Sequence, residues 1–364
     1  MNFIIKQKTI REIIKNNGTL MSAKVTKEIL NGVLFEMTEK GLTITVSDGD
    51  ETIKQRTTEV DVVETGSCVI PRDFLRTITK LSGEMEFSLE GYLLTVSKGK
   101  TKLQTVVFSS DEYPVMPTEK PMYQLKYTGQ QWEDIVIATA YAASTSDTRP
   151  VLQGVHIDVS PSGQKFVCTD SHRMGEIYFT QGEISEELAI TLPAKMLQAT
   201  LNSFDLAKDV MVVGFRNYVA LFNSHIVHTI RALEGNYPNT DRLIPKSFST
   251  EIVVARQEIL DNMKLLNSML NPDSPIINFD IDNNCLMIRT KMETKNGEVL
   301  IEGEEFIGKG LKISLNAVFF IEAVLSFKSE YVRIKFTESL KPFIMVGETE
   351  EDSHLALMLP IRTY

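Results

Sequence analysis

Residues 167–178 read VCTDSHRMGEIY, which sets Thr169, Asp170, Ser171, His172 and Arg173 side by side between two apolar stretches. A hydroxyl, an imidazole and a carboxylate are the parts of a hydrolytic triad. A triad works by convergence in space, however, and successive residues of an extended chain point to opposite faces. No G-x-S-x-G turn surrounds Ser171 to raise a nucleophile out of a strand. A hydrolase using Ser171 or His172 therefore competes with two other readings, a polar strand end and a binding site. Cys68, Cys168 and Cys285 lie far apart, with no CxxC pair and no histidine at ligand spacing, which argues against a disulfide framework or a zinc site.

The elements that position these residues are those of a globular protein. At 364 residues, 43% hydrophobic and 24% charged, the chain exceeds what one core usually serves and should fold throughout as two or three domains. The N-terminal segment MNFIIKQKTIREIIKNNG becomes charged within a few residues, and no window approaches a membrane span of roughly 18 apolar residues. A cytoplasmic protein is expected. The formal charge of -10 argues against a surface that coats itself in nucleic acid, but leaves room for a local basic face.

The chain repeats itself. ILNGVLFEM at 29–37 resembles VLQGVHIDV at 151–159, with a glycine kink inside a strand pattern, and the next strands end at Asp48 and Asp170; both offsets are 122 (151 − 29 and 170 − 48). PIINFDI at 275–281 is a fainter third copy. Further on, CVIPRDFLRTITKLSG, AITLPAKMLQATLNSF and KISLNAVFFIEAVLSF each give a short strand, a helix-starting Pro71, Pro193 or Asn316, and apolar residues at helical spacing. Each unit reads helix, strands, helix, strands, and three such α+β domains fill the chain, expected at 1–121, 122–247 and 248–364.

The first helix, about Gln7 to Asn16, sets Ile10, Ile13 and Ile14 against Lys8, Arg11 and Lys15 on another side. The helix after Pro71 repeats the design, with Phe74, Leu75, Ile78 and Leu81 inward and Arg72, Arg76 and Lys80 outward. Two like-signed stripes in one domain suit a surface that slides along phosphates. The helix from about Gly129 to Ser144 carries Glu133 and Asp134 instead, so any such surface is patchy.

RPVLQGV at 149–155 followed by CTDSHRM at 168–174, NYPNTDRLIP at 236–245 and the terminal LMLPIRTY, in that order along a threefold repeat, resemble the bacterial DNA polymerase III β subunit family, the sliding clamps. The resemblance covers the whole chain. It implies three clamp-type domains, each with two helices on antiparallel sheets, and two chains joined head to tail in a ring around duplex DNA. It implies partners rather than chemistry: the replicative polymerase, an ATP-dependent loader and repair proteins, with no catalytic residue, metal or cofactor.

Carried over position by position, the family's peptide pocket would comprise Leu152, Thr169, Ser171, His172, Arg173 and Met174, with Pro238, Arg242 and Leu243 from the connector. Asn316, Phe319, Leu340, Pro342, Leu357, Leu359, Pro360, Ile361 and Arg362 would complete it. Ser171 stands where many relatives have glycine, Phe319 where tyrosine is common, and Thr363 and Tyr364 extend past the arginine. Lys8, Arg11, Lys15, Lys24, Arg72, Arg76, Lys80 and Arg149 are the candidates to face DNA. Lys100, Lys102 and Leu103 on an expected edge strand, with Met269, Leu270, Glu298, Glu302, Glu304 and Glu305 in a comparable edge region, are the candidates for the dimer interface. A scaffold with no DNA role is the remaining alternative.

Overall fold

Alternation sets the first element. In Asn2–Lys6 every second side chain is buried, and Phe3 stacks on Phe87 of the neighbouring strand at 4.6 Å between ring centres. A fully buried side chain of this size contributes about 1.5–3 kcal/mol. The period then changes, and Gln7–Asn16 forms a helix that buries Thr9, Ile10 and Ile13. The computed structural model describes residues 1–114, 120–180, 187–291, 295–349 and 353–362; part of the first connector (116–119) and the terminal Thr363 and Tyr364 lie outside the described residues.

The same order recurs three times: strand, helix, strands, helix, three strands. The second helices are Arg72–Ile78, Ala194–Ser203 and Ala317–Leu325. The first helices are Gln7–Asn16, Gly129–Thr139 and Arg256–Asn267. The sequence reading carried the middle one to Ser144, but it gives way to a 3-10 turn over Ala140–Ala142. Asn316 caps its helix through its side chain, accepting from the backbone N–H of Val318 at 2.9 Å and Phe319 at 3.1 Å. Pro71 occupies the cap position itself, one residue before the first turn.

Two compact units emerge, Met1–Glu133 with Gln198–Ala232, and Asp134–Leu197 with Leu233–Tyr364. The first holds a five-stranded sheet that ends on Thr101–Val106 and an eight-stranded sheet in which Glu51–Thr57 pairs with Ile226–Arg231. The second holds a nine-stranded sheet, in which Arg173–Phe179 pairs with His354–Met358, and a four-stranded sheet that ends on Asn296–Glu302. All described strand pairs named here are antiparallel.

The repeated glycines do not kink a strand from inside. Gly32 and Gly154 each open one, directly after a 3-10 turn. A Cβ on Gly32 would lie 2.3 Å from Val69 and one on Gly154 would lie 2.7 Å from the Leu192 carbonyl, so both positions serve close strand approach.

Candidate functional site

The Thr169–Arg173 segment is a tight turn between the strands Gly163–Thr169 and Arg173–Phe179. The Thr169 hydroxyl and one Asp170 oxygen are spent on backbone. Asp170 Oδ1 accepts from the N–H of His172 at 2.8 Å and Arg173 at 2.9 Å, while Thr169 Oγ1 donates to the Arg173 carbonyl at 2.6 Å and accepts from the Ser171 N–H at 3.2 Å. The turn at Ser47–Glu51, 122 residues earlier, makes the same bonds. Asp48 Oδ1 accepts from Asp50 and Glu51, and Ser47 Oγ donates to the Glu51 carbonyl and accepts from Gly49. The carboxylate and hydroxyl are therefore turn-forming groups in both repeats. Ser171 sits at φ 78°, where the first repeat has Gly49 at φ 106°. No described hydrogen bond joins the Ser171 hydroxyl to an imidazole or carboxylate, which leaves the hydrolase reading without support.

Arg173 is the residue the turn aims inward. Its Nε donates to Asp170 Oδ2 at 3.0 Å, Nη1 pairs with Glu322, and the guanidinium lies 4.1 Å from the ring centre of Phe319 and 5.6 Å from that of Tyr141. Tyr141 in turn donates to the Met174 carbonyl at 3.3 Å. Burial raises the Tyr141 hydroxyl well above its ordinary range, and pushes the thiol of neighbouring Cys168 up to about 12.

The chain tail is zipped to this turn. Arg173 is in register with Met358 and Met174 with Leu357, and the Leu359 N–H donates to the His172 carbonyl at 2.9 Å. The Ile361 N–H donates to the Ser314 carbonyl at 2.8 Å, which brings the tail to the strand leading to Asn316. Phe343 pairs with Met358, so Pro342 arrives beside Leu359. On the other flank, the Tyr237 hydroxyl accepts from the Thr169 N–H at 2.9 Å and its ring stacks on His156. Lys165 fastens the following connector through Asp241 and Thr240, while also pairing with Glu176 at 3.2 Å. Burial opposes the Lys165 charge, but its bonds to Asp241 and Glu176 outweigh burial and raise its pKa; burial raises that of Glu176.

Strand pairing and backbone bonds thus join His172, Arg173 and Met174 to Leu357 and Leu359 of the tail. Leu152, Met174 and Leu357 are buried, Met174 completely, and the last two pack with Val167 and Ile344. Paired strand positions share a face, so Met174 and Leu357 turn inward together. Leu243, Leu340 and Leu359 are exposed instead, at 45%, 58% and 37%. Ser171, His172, Pro238, Arg242 and Arg362 are exposed, and Asn316, Phe319, Pro342, Pro360 and Ile361 half-buried. Sequence reasoning missed Tyr141, Tyr237 and Glu322. Glu322 had a signal, as the lone carboxylate in the apolar helix AVFFIEAVL.

Models of the DNA polymerase III beta subunit match in succession, the N-terminal domain over residues 1–117, the central over 128–239 and the C-terminal over 241–362. The chain belongs to the DNA polymerase III beta subunit family. It is 28% identical to a beta sliding clamp of Staphylococcus epidermidis and 26% to that of Streptococcus pneumoniae serotype 4, each over the whole of both chains. The crystal structure of the beta subunit from Streptococcus pyogenes superposes with a TM-score of 0.91 at 27% identity, again over both full chains. The sliding clamp of Bacillus subtilis, at 24% identity, shares the fold with a TM-score of 0.92. Three clamp domains and the processivity factor's role in DNA replication follow from this membership.

Of the residues expected to face DNA, Lys8, Arg11, Lys15, Lys24, Arg76, Lys80 and Arg149 are exposed. Arg72 is not, which corrects its outward placement. Only 6% exposed, it donates to the carbonyls of Ala23 at 3.1 Å and Ser47 at 2.9 Å, because a helix begun at residue 72 turns that position back toward the sheet. Its burial also lowers its pKa. Arg76 bonds the neighbouring Met21 carbonyl, and Lys80 lies past the helix end. Among the dimer candidates, Lys102 and Leu103 lie on the terminal strand of the five-stranded sheet, with Lys100 in the turn before it. Glu298 and Glu302 lie on the terminal strand of the four-stranded sheet, Glu298 bonded to Arg289 at 2.7 Å. Glu305 begins the terminal strand of the nine-stranded sheet and Glu304 precedes it. Met269 and Leu270 follow the helix Arg256–Asn267, half-buried.

Proposed function

We propose that two copies of this chain close head to tail into a ring around duplex DNA and tether the replicative polymerase through short peptide motifs. The observation that carries the reading is the threefold order of elements over the full length, matched in succession by the three beta subunit domains. The domains divide at 1–121, 122–247 and 248–364. The terminal strand Thr101–Val106 of one copy meets Asn296–Glu302 of the other, with Lys100 and Lys102 opposite the glutamates and Leu103, Met269 and Leu270 between them. The exposed lysines and arginines contact phosphates without reading bases. The ring acts in the cytoplasm as a non-catalytic subunit, and the clamp loader and repair proteins use the same pocket.

That pocket takes an apolar anchor against Leu243, Leu340 and Leu359, with polar orientation from His172, Arg242 and Arg362. The test joins sedimentation velocity with titration of a pentapeptide carrying a glutamine and spaced leucine and phenylalanine. A dimer that binds one peptide per chain, and loses it when residues from Leu359 onward are removed, supports the reading. A monomer, or a truncated chain that binds equally, overturns it.

A further inference from the structure

The internal repeat supplies a template for a second binding site. In the second unit, Asp134 on a first helix meets Lys328 just after a second helix, with Oδ1 and Nζ 2.6 Å apart. The corresponding positions in the first unit are Glu12 and Asp205, by offsets of 134 − 12 = 122 and 328 − 205 = 123, the spacings that relate the repeats elsewhere. A cation in one copy is thus a carboxylate in the other. Two like charges face the place where an ion pair stands in the repeat.

This place is a cleft of about 800 Å³, lined by Glu12, Glu59, Asp205, Gln55, Arg56 and His225 among others. Among the described residues, none of the three carboxylates forms an ion pair. Glu59 accepts from the Thr9 hydroxyl at 3.1 Å and Asp205 from the Ala207 N–H at 3.1 Å. The Arg56 guanidinium is directed to the Lys40 carbonyl at 2.7 Å. An independent sign of a missing donor is Gln55. It is 5% exposed, its Nε2 lies 3.4 Å from the His225 ring, and its buried Oε1 receives no hydrogen bond. Carboxylates and an unserved carboxamide oxygen offer acceptors alone, which is what an ammonium with three N–H donors requires.

We propose that this cleft binds an alkylammonium group, which takes the position that Lys328 fills in the second unit. The group comes from a free polyamine or from a lysine side chain of a partner protein. The site is separate from the peptide corner, and its test does not depend on ring closure.

Spermidine, and separately a blocked glycyl-lysyl-glycine peptide, are titrated into the full chain by calorimetry at low salt. Saturable binding of either supports the site, and the probe that binds more tightly identifies the source. Glu12→Gln and Asp205→Asn each weaken it at least fivefold. Asp205→Lys abolishes binding and raises the thermal midpoint, because the chain then supplies its own ammonium. Asp158→Lys, the same charge change at an exposed strand position outside the cleft, leaves binding as in the parent and controls for attraction to an acidic protein. Absence of saturable binding by both probes, or equal binding by Asp205→Lys and the parent, overturns the proposal.

Discussion

Arg173→Ala removes the side chain that ties the turn to the helix Ala317–Leu325. The bond to Asp170 is charge-assisted, and Asp170 is only 11% exposed, so its loss costs about 1.5–3 kcal/mol. Glu322, 41% exposed, regains water and adds little. The guanidinium over Phe319 at 4.1 Å, on a side chain 9% exposed, adds about 1–2 kcal/mol. The sum, about 2.5–5 kcal/mol, falls on local opening of the pair between Arg173–Phe179 and His354–Met358. A three-domain chain does not unfold in one step, so the assay is native-state hydrogen exchange on peptides covering these strands. At about 1.4 kcal/mol per tenfold, exchange should accelerate about sixtyfold or more. Arg231→Ala, which breaks a pair to Asp50 with both partners more than 60% exposed, should change exchange at its strand less than fivefold. Acceleration below tenfold in Arg173→Ala would show that the reasoning about this buried cation is wrong.

Ser171→Gly should be neutral or slightly stabilising, and Ser171→Val should cost about 1–2 kcal/mol, because φ 78° is left-handed backbone; thermal melts of the two variants check the order. Lys165→Met should free the connector that carries Leu243 and weaken the pentapeptide severalfold by calorimetry while sedimentation stays dimeric; unchanged affinity would show that the connector holds itself. Replacing Lys8, Arg11 and Lys15 with glutamine should flatten the slope of log DNA affinity against log salt by about 0.9 per lost phosphate contact. An identical slope would place these residues away from DNA. Charge reversal of Lys100 and Lys102 to glutamate should shift sedimentation toward monomer at low protein concentration.

The repeat was legible because strand and helix periods and turn chemistry are local properties. The matching bonds at Ser47–Glu51 and Thr169–Arg173 follow from a hydroxyl, an aspartate and a following residue able to take positive φ. Burial was less legible. Arg72 occupies a position whose helical phase fits the basic stripe, but the stripe's first member depends on where the helix starts, and Pro71 stands outside the helix. Met174 and Leu357 read as apolar residues of this region, but only their cross-strand pairing shows that both turn inward. Tyr141 and Tyr237 reach the turn from 28 residues before Thr169 (169 − 141) and 68 after it (237 − 169), a convergence that no local pattern carries.

Topological linkage to DNA separates a ring from every other way of binding. The protein is loaded onto a nicked circular duplex by the cognate ATP-dependent loader, freed of unbound chain by gel filtration, and followed after the circle is cut once. A closed ring stays on the circle in salt high enough to screen phosphate contacts and runs off within minutes of linearisation. Equal retention on circular and linear DNA, or release from the intact circle by salt alone, would contradict encirclement.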